Sequence, residues 1–67
     1  MTRVLLNGET TDSRGAQSVD DLVRYFQLPP EAVLIEHNGV ALHRREWVEA
    51  RLADGDRIEI IRVVAGG

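Results

Sequence analysis

The stretch Asp54-Gly55-Asp56-Arg57-Ile58-Glu59-Ile60-Ile61-Arg62-Val63-Val64 decides the fold. Asp-Gly supplies the positive φ of a tight turn. The run from Arg57 to Val64 after it is rich in β-branched residues and reads as the last strand. At the other end of the chain, Arg3 to Leu6 has the same hydrophobic character, so the first and last strands are expected at the centre of one sheet. Two more tight-turn signals, Asn7-Gly8 and Asn38-Gly39, divide what lies between. Thr10 to Ser13 is the hairpin partner of the first strand across Asn7-Gly8. Ala32 to His37 is an apolar run leading into Asn38-Gly39, and Val40 to Leu42 is a short return strand.

Between the two hairpins the period changes. Ser18 reads as a helix N-cap, with Asp20 and Asp21 in the first turn, where carboxylates suit the positive end of the helix dipole. Val19, Leu22, Val23 and Phe26 follow at i, i+3, i+4 and i+7, which is one helical face. Pro29-Pro30 stops the helix. Arg45 to Leu52 is expected to form a second, brief helix carrying Trp47, Val48 and Leu52. It is too short to be the second long helix of an antiparallel ferredoxin-like sandwich. The expected class is therefore α+β, a β-grasp arrangement: a mixed sheet of four to five strands packed on one main helix. Residues 1–67 form one domain, in which residues 65–67 are an extended, flexible tail.

A chain of 67 residues buries only about 60% of its unfolded surface. It has no room for both a core and a deep cleft. That argues against an enzyme and for a module that presents a surface or an end to something larger. With no cysteine, disulfide staples and thiolate ligands are excluded. No segment reads as a signal peptide or a membrane span, so a soluble cytoplasmic protein is expected. The net charge is −3 and no basic stripe is visible, which points away from nucleic acid. Every basic residue is arginine. Codon bias in a GC-rich genome accounts for that. A chain whose end becomes a reactive acyl group would also gain from having no side-chain amine to attack it.

No catalytic constellation emerges. His37 and His43 lie six residues apart with nothing to complete a metal set, and solvated or structural roles fit them better. Asp54 and Asp56 are explained by the turn between Leu52 and Ile58. No glycine-rich loop precedes a helix as a phosphate cradle would. There remains the C-terminal Gly66-Gly67. Two residues without Cβ atoms make a thin tail that a partner's catalytic groups can approach closely, although a fraying glycine end would look the same. The α-carboxyl group is ionised at neutral pH and is a poor acyl donor until activated. Attack on the α-phosphate of ATP would make it an acyl adenylate. A sulfur nucleophile could then displace AMP and leave a thiocarboxylate or an acyl-sulfur bond. All the machinery for this must sit in a partner.

Strand parity suggests where that partner would hold the chain. Residues two apart share a face, and one helix covers only one face of the sheet. Ile58 and Ile60 are assigned to the covered face with Val4 and Leu6. Ile61 and Val63 then lie on the open face with Leu5. Leu5, Ile61 and Val63 are expected to form an apolar patch, continued by Val64 and Ala65 into the tail. A β-bulge after Ile60 would shift the register and bury Ile61 instead.

These residues carry a family resemblance. Val4-Leu5-Leu6-Asn7-Gly8-Glu9, then Ile35-Glu36-His37-Asn38-Gly39, Trp47, Leu52-Ala53-Asp54-Gly55-Asp56-Arg57-Ile58-Glu59-Ile60 and Val63-Val64-Ala65-Gly66-Gly67 resemble the sulfur carrier family of thiamine biosynthesis (ThiS) nearly end to end. The resemblance implies a ubiquitin-like β-grasp fold and no bound cofactor. It further implies adenylation of Gly67, with Gly66 as spacer, by an E1-like adenylyltransferase (ThiF-like) that uses ATP. A thiocarboxylate would then form and give its sulfur to a thiazole synthase (ThiG-like). The small subunit of molybdopterin synthase is similar too, but approaches Gly-Gly through a proline-containing segment that Arg62-Val63-Val64-Ala65 lacks. A ubiquitin-like modifier and an interaction module with an inert tail remain as further alternatives.

Overall fold

The computed structural model describes residues 2–63. The elements are β1 (Arg3–Leu6), β2 (Glu9–Asp12), α1 (Val19–Tyr25), β3 (Val33–His37), β4 (Val40–Leu42) and β5 (Arg57–Arg62). They form a five-stranded sheet in the order β2-β1-β5-β3-β4. β1 runs parallel to β5, and the other pairings are antiparallel. With one helix on one face, this is the expected β-grasp, and the last strand lies at its centre.

Both hairpins are built by Asn-Gly. Asn7 and Asn38 have φ of 50° and 51°, and Gly8 and Gly39 both have φ of 85°. Two consecutive left-handed residues match the right-handed twist of the flanking strands. Asparagine and glycine are the residues that adopt that backbone most readily.

Helix α1 begins as its sequence suggests. The Ser18 hydroxyl accepts from the Asp21 amide at 3.1 Å, and the Asp21 carboxylate accepts from the Gln17 amide at 3.1 Å. Val19, Leu22 and Val23 are buried. Phe26 departs from the expectation. The helix ends at Tyr25, before the prolines, because Gln27 turns left-handed with φ 55°. The Gln27 amide donates to the Arg24 carbonyl at 3.1 Å and the Leu28 amide to the Val23 carbonyl at 3.0 Å. This paired closure satisfies the last helical carbonyls. It packs Leu28 against the core and leaves Phe26 at the cap, 37% exposed.

The brief helix expected over Arg45 to Leu52 does not form. A short 3₁₀ turn spans Arg44–Glu46, and irregular turns follow. Two of its carbonyls bond outside the segment. Trp47 and Ala50 accept from the Asp20 and Val19 amides at 3.0 and 2.9 Å, satisfying free donors at the start of α1. The segment lies across the end of the helix. Trp47 is driven into the core, while Val48 stays 63% exposed.

The core consists of Val4, Val19, Leu22, Val23, Val33, Ile35, Trp47 and Ile58, with Leu6, Leu28, Leu42, Leu52 and Ile60 packed around it. Each large apolar side chain fully buried contributes about 1.5–3 kcal/mol. Other boundaries differ from expectation by a residue or two. β2 is Glu9–Asp12 and β3 begins at Val33, after a 3₁₀ turn over Pro30–Ala32.

Candidate functional site

The site is the end of β5 and the sheet face beside it. β5 is fixed from both sides by the asparagines of the two hairpin turns. On the β1 side, Asn7 Oδ1 accepts from the Ile60 amide at 2.7 Å and Nδ2 donates to the Ile60 carbonyl at 3.2 Å. The side-chain amide thereby stands in for the next residue of β1, which has already turned away. On the β3 side, Asn38 Oδ1 accepts from the Arg57 amide at 2.8 Å. The Asn38 backbone amide donates to the Arg57 carbonyl at 2.8 Å.

The register along β3 and β5 is one for one: Val33 faces Arg62, Leu34 faces Ile61, Ile35 faces Ile60, Glu36 faces Glu59 and His37 faces Ile58. No bulge interrupts it, so parity holds to the end of the strand. Ile58 is buried and Ile60 packs against the core. Ile61 and Val63 are 48% and 49% exposed on the uncovered face. The Val63 amide donates to the Ala32 carbonyl at 2.8 Å, carrying the ladder one step past β5.

Leu5 does not join them. It is half-buried and opposite Arg57. Ile61 lies four steps along the strand from Arg57, roughly 13 Å at strand rise. The apolar neighbour of Ile61 is Leu34, its partner across the strand pair and 57% exposed. The same alternation, applied to Val33-Leu34-Ile35, would have found it. The apolar strip is therefore Leu34, Ile61 and Val63. Val64, Ala65, Gly66 and Gly67, which sequence reasoning placed in the partner contact and the reactive end, lie outside the described residues.

The other face at this end of β5 holds an open groove of about 430 Å³, lined by Leu6, Asn7, Phe26, Leu28, Ile60 and Arg62. His37 and the turn aspartates lie at the opposite end of β5. His37 Nε2 sits 2.8 Å from Asp56 Oδ2. That carboxylate also accepts from the Ala53 amide at 2.9 Å and Asn38 Nδ2 at 3.1 Å. Burial alone would push the Asp56 carboxyl up. The hydrogen bonds from His37, Ala53 and Asn38, with the charge on His37, outweigh it and hold the carboxyl below its ordinary value. Asp54 accepts from the Arg3 amide at 2.9 Å. Both aspartates thus build the turn into β5, as the sequence suggests. His43 caps the 3₁₀ turn through its backbone, its amide donating to Glu46 Oε1 at 2.7 Å.

The geometry thus supplies a central strand held from both sides and an apolar strip on its open face near Val63. Known proteins share this plan. The sulfur carrier protein ThiS of Bacillus subtilis is 32% identical over 63 residues, spanning 92% of this chain and 96% of that protein. An uncharacterised ycf40 protein of Trieres chinensis is 26% identical over 62 residues, 92% of this chain and 85% of its own length. The crystal structure of a thiamine biosynthesis protein (ThiS) from Geobacter metallireducens superposes with a TM-score of 0.81 at 29% identity, covering 98% of this chain and all of the other. The family model of the ThiS family matches residues 4–67. By that match, and by relatives similar over nearly their whole length, the chain belongs to the ThiS family.

Proposed function

We propose that this protein is a sulfur carrier of thiamine biosynthesis, a co-substrate of other enzymes, with the carboxylate of Gly67 as its working group. The observation that carries this reading is the family match. It extends to Gly67 and includes Gly66-Gly67 beyond a strand whose open side is apolar at Ile61 and Val63. An E1-like, ThiF-like enzyme would bind the face at Ile61 and Val63 and draw the tail into its own active site. There a carboxylate oxygen of Gly67 attacks the α-phosphorus of ATP and pyrophosphate leaves. A sulfur nucleophile then attacks the acyl carbon and the bond to AMP breaks. A donor at the level of hydrosulfide gives the thiocarboxylate directly. A persulfide donor gives an acyl disulfide, which a second thiol must cleave. The thiocarboxylate passes its sulfur to a thiazole synthase (ThiG-like). The chain itself binds no cofactor; ATP is bound and spent by the partner. The proposed setting is the cytoplasm, where a partner has ATP at hand.

With no cysteine in the chain, sulfur has one place to go. Intact-mass measurement after incubation with the adenylating enzyme, ATP and a sulfur donor should show one oxygen exchanged for one sulfur. Fragmentation should place the sulfur on Gly67. Sulfur on any side chain, or no gain of sulfur at all, overturns the reading.

A further inference from the structure

The open face of the sheet pairs two carboxylates. Glu36 of β3 stands directly opposite Glu59 of β5. Side chains so placed have Cβ atoms about 4.5–5.5 Å apart, and like charges there are destabilising. Nothing in the same row relieves them. On the far side of Glu36 is Ala41, its partner in β4. On the far side of Glu59 is Asn7, whose amide is spent on the Ile60 backbone. Arg57, two residues back on the same face, makes no ion pair with Glu59. The ion pairs among the described residues are Arg24–Asp20 and His37–Asp56. One step along the strands is Leu34 opposite Ile61, and beyond it Val63. The strip nearest the tail is therefore apolar, and the row behind it is doubly anionic.

We infer that the Glu36–Glu59 pair is the charged half of the partner contact and receives an arginine of the adenylating enzyme, whose apolar side chains cover Leu34, Ile61 and Val63. The inference rests on the carrier reading for the identity of the partner. It adds what that partner must present: a guanidinium set about one side-chain row from an apolar contact. Arginine fits better than lysine because a planar fork of five N–H donors can serve two carboxylates at once, whereas an ammonium is a single point charge. The repulsion between the glutamates is relieved only in the complex. The pair therefore opposes the free fold slightly, favours the bound state, and fixes the register that aims the chain end. An apolar strip alone would tolerate sliding along the strand.

The test is the double variant Glu36→Gln, Glu59→Gln, which keeps the shape of both side chains and removes both charges. Its melting temperature should equal or exceed that of the wild type. Its dissociation constant for the adenylating enzyme of the same organism should rise about tenfold at low salt, as expected when a charge-assisted bidentate contact is lost. The difference should narrow as salt is raised. Glu59→Gln alone should fall between the two. Equal binding by double variant and wild type at low salt overturns the inference while leaving an adenylated wild type intact as a carrier. Wild-type binding that a chelator abolishes overturns it as well, because a divalent cation would then be bridging the pair. A wild-type chain that is neither bound nor adenylated sinks the carrier reading and this inference together.

Discussion

Asp56 uses both of its carboxylate oxygens, one on Asn38 and the other shared by His37 and the Ala53 amide. These partners hold its carboxyl below the ordinary value despite burial. A depressed folded value means that the ionised form is favoured by folding. The stability this supplies is fully present above the unfolded carboxyl value, about 3.9. It is lost as pH falls through the folded value. Thermal melts from pH 7 down to pH 2 should show the melting temperature dropping in the acid limb below about pH 4. Asp56→Asn should be less stable at pH 7, by about 1–3 kcal/mol for partners left unmatched, and should flatten that limb. An unchanged acid limb would mean that other carboxylates carry it. Asn7 is the second residue whose side chain organises a strand. Asn7→Ala removes both bonds to Ile60 and leaves alanine at a left-handed φ, so urea melts should show a loss of about 1–3 kcal/mol. Asn7→Asp keeps the acceptor and should cost less. The turn role of Asn7 was legible from Asn-Gly alone. Its grip on Ile60 was not, because the two residues are 53 positions apart and only the parallel pairing of β1 with β5 brings them together.

At the scale of the element, β5 shows what a period of two can and cannot tell. Backbone pleat sets the alternation, so the sorting of Ile58 and Ile60 from Ile61 and Val63 could be read from the strand by itself. Which residue of a neighbouring strand stands beside each is a matter of register, set by turns and packing elsewhere. The period alone therefore groups Leu5 with Ile61, although Leu34 is the neighbour of Ile61. The same limit appears in α1. Its start is written in Ser18, Asp20 and Asp21, and its three buried residues follow the helical period. Its end depends on Gln27 turning left-handed, a place where glycine would be the usual signal, so the helical period alone extends the buried face one residue too far, to Phe26. The strip has its own test. Ile61→Asp is exposed and should change stability by no more than about 0.5 kcal/mol, yet weaken binding to the adenylating enzyme. Ile58→Ala, in the core, should cost about 2–5 kcal/mol. If Ile61→Asp unfolds the protein, the strip is core rather than contact.

At the scale of the whole molecule, the proposed function puts folding and chemistry on different stretches of the chain. Every buried core side chain among the described residues lies between Val4 and Ile58. Among the described residues the sheet ladder runs as far as Val63, bonded to Ala32. A domain this small is stable by a narrow margin, so a reactive group placed within its core would be expensive to maintain. The proposed reactive group, Gly67, lies well beyond Ile58, the last of these core residues in sequence. The division makes a sharp expectation. Deleting Gly67 should leave the melting temperature and the urea midpoint where they are. Binding to the adenylating enzyme should persist, because Leu34, Ile61 and Val63 are untouched. Incubation with that enzyme and ATP should yield no adenylate, because the shortened tail ends one residue before the reacting phosphate. Activity and stability would then separate completely. A truncated chain that still gained AMP or sulfur would show that the enzyme reads an end of variable length, and Gly67 would lose its special place. A truncated chain that unfolded would show that the tail belongs to the fold.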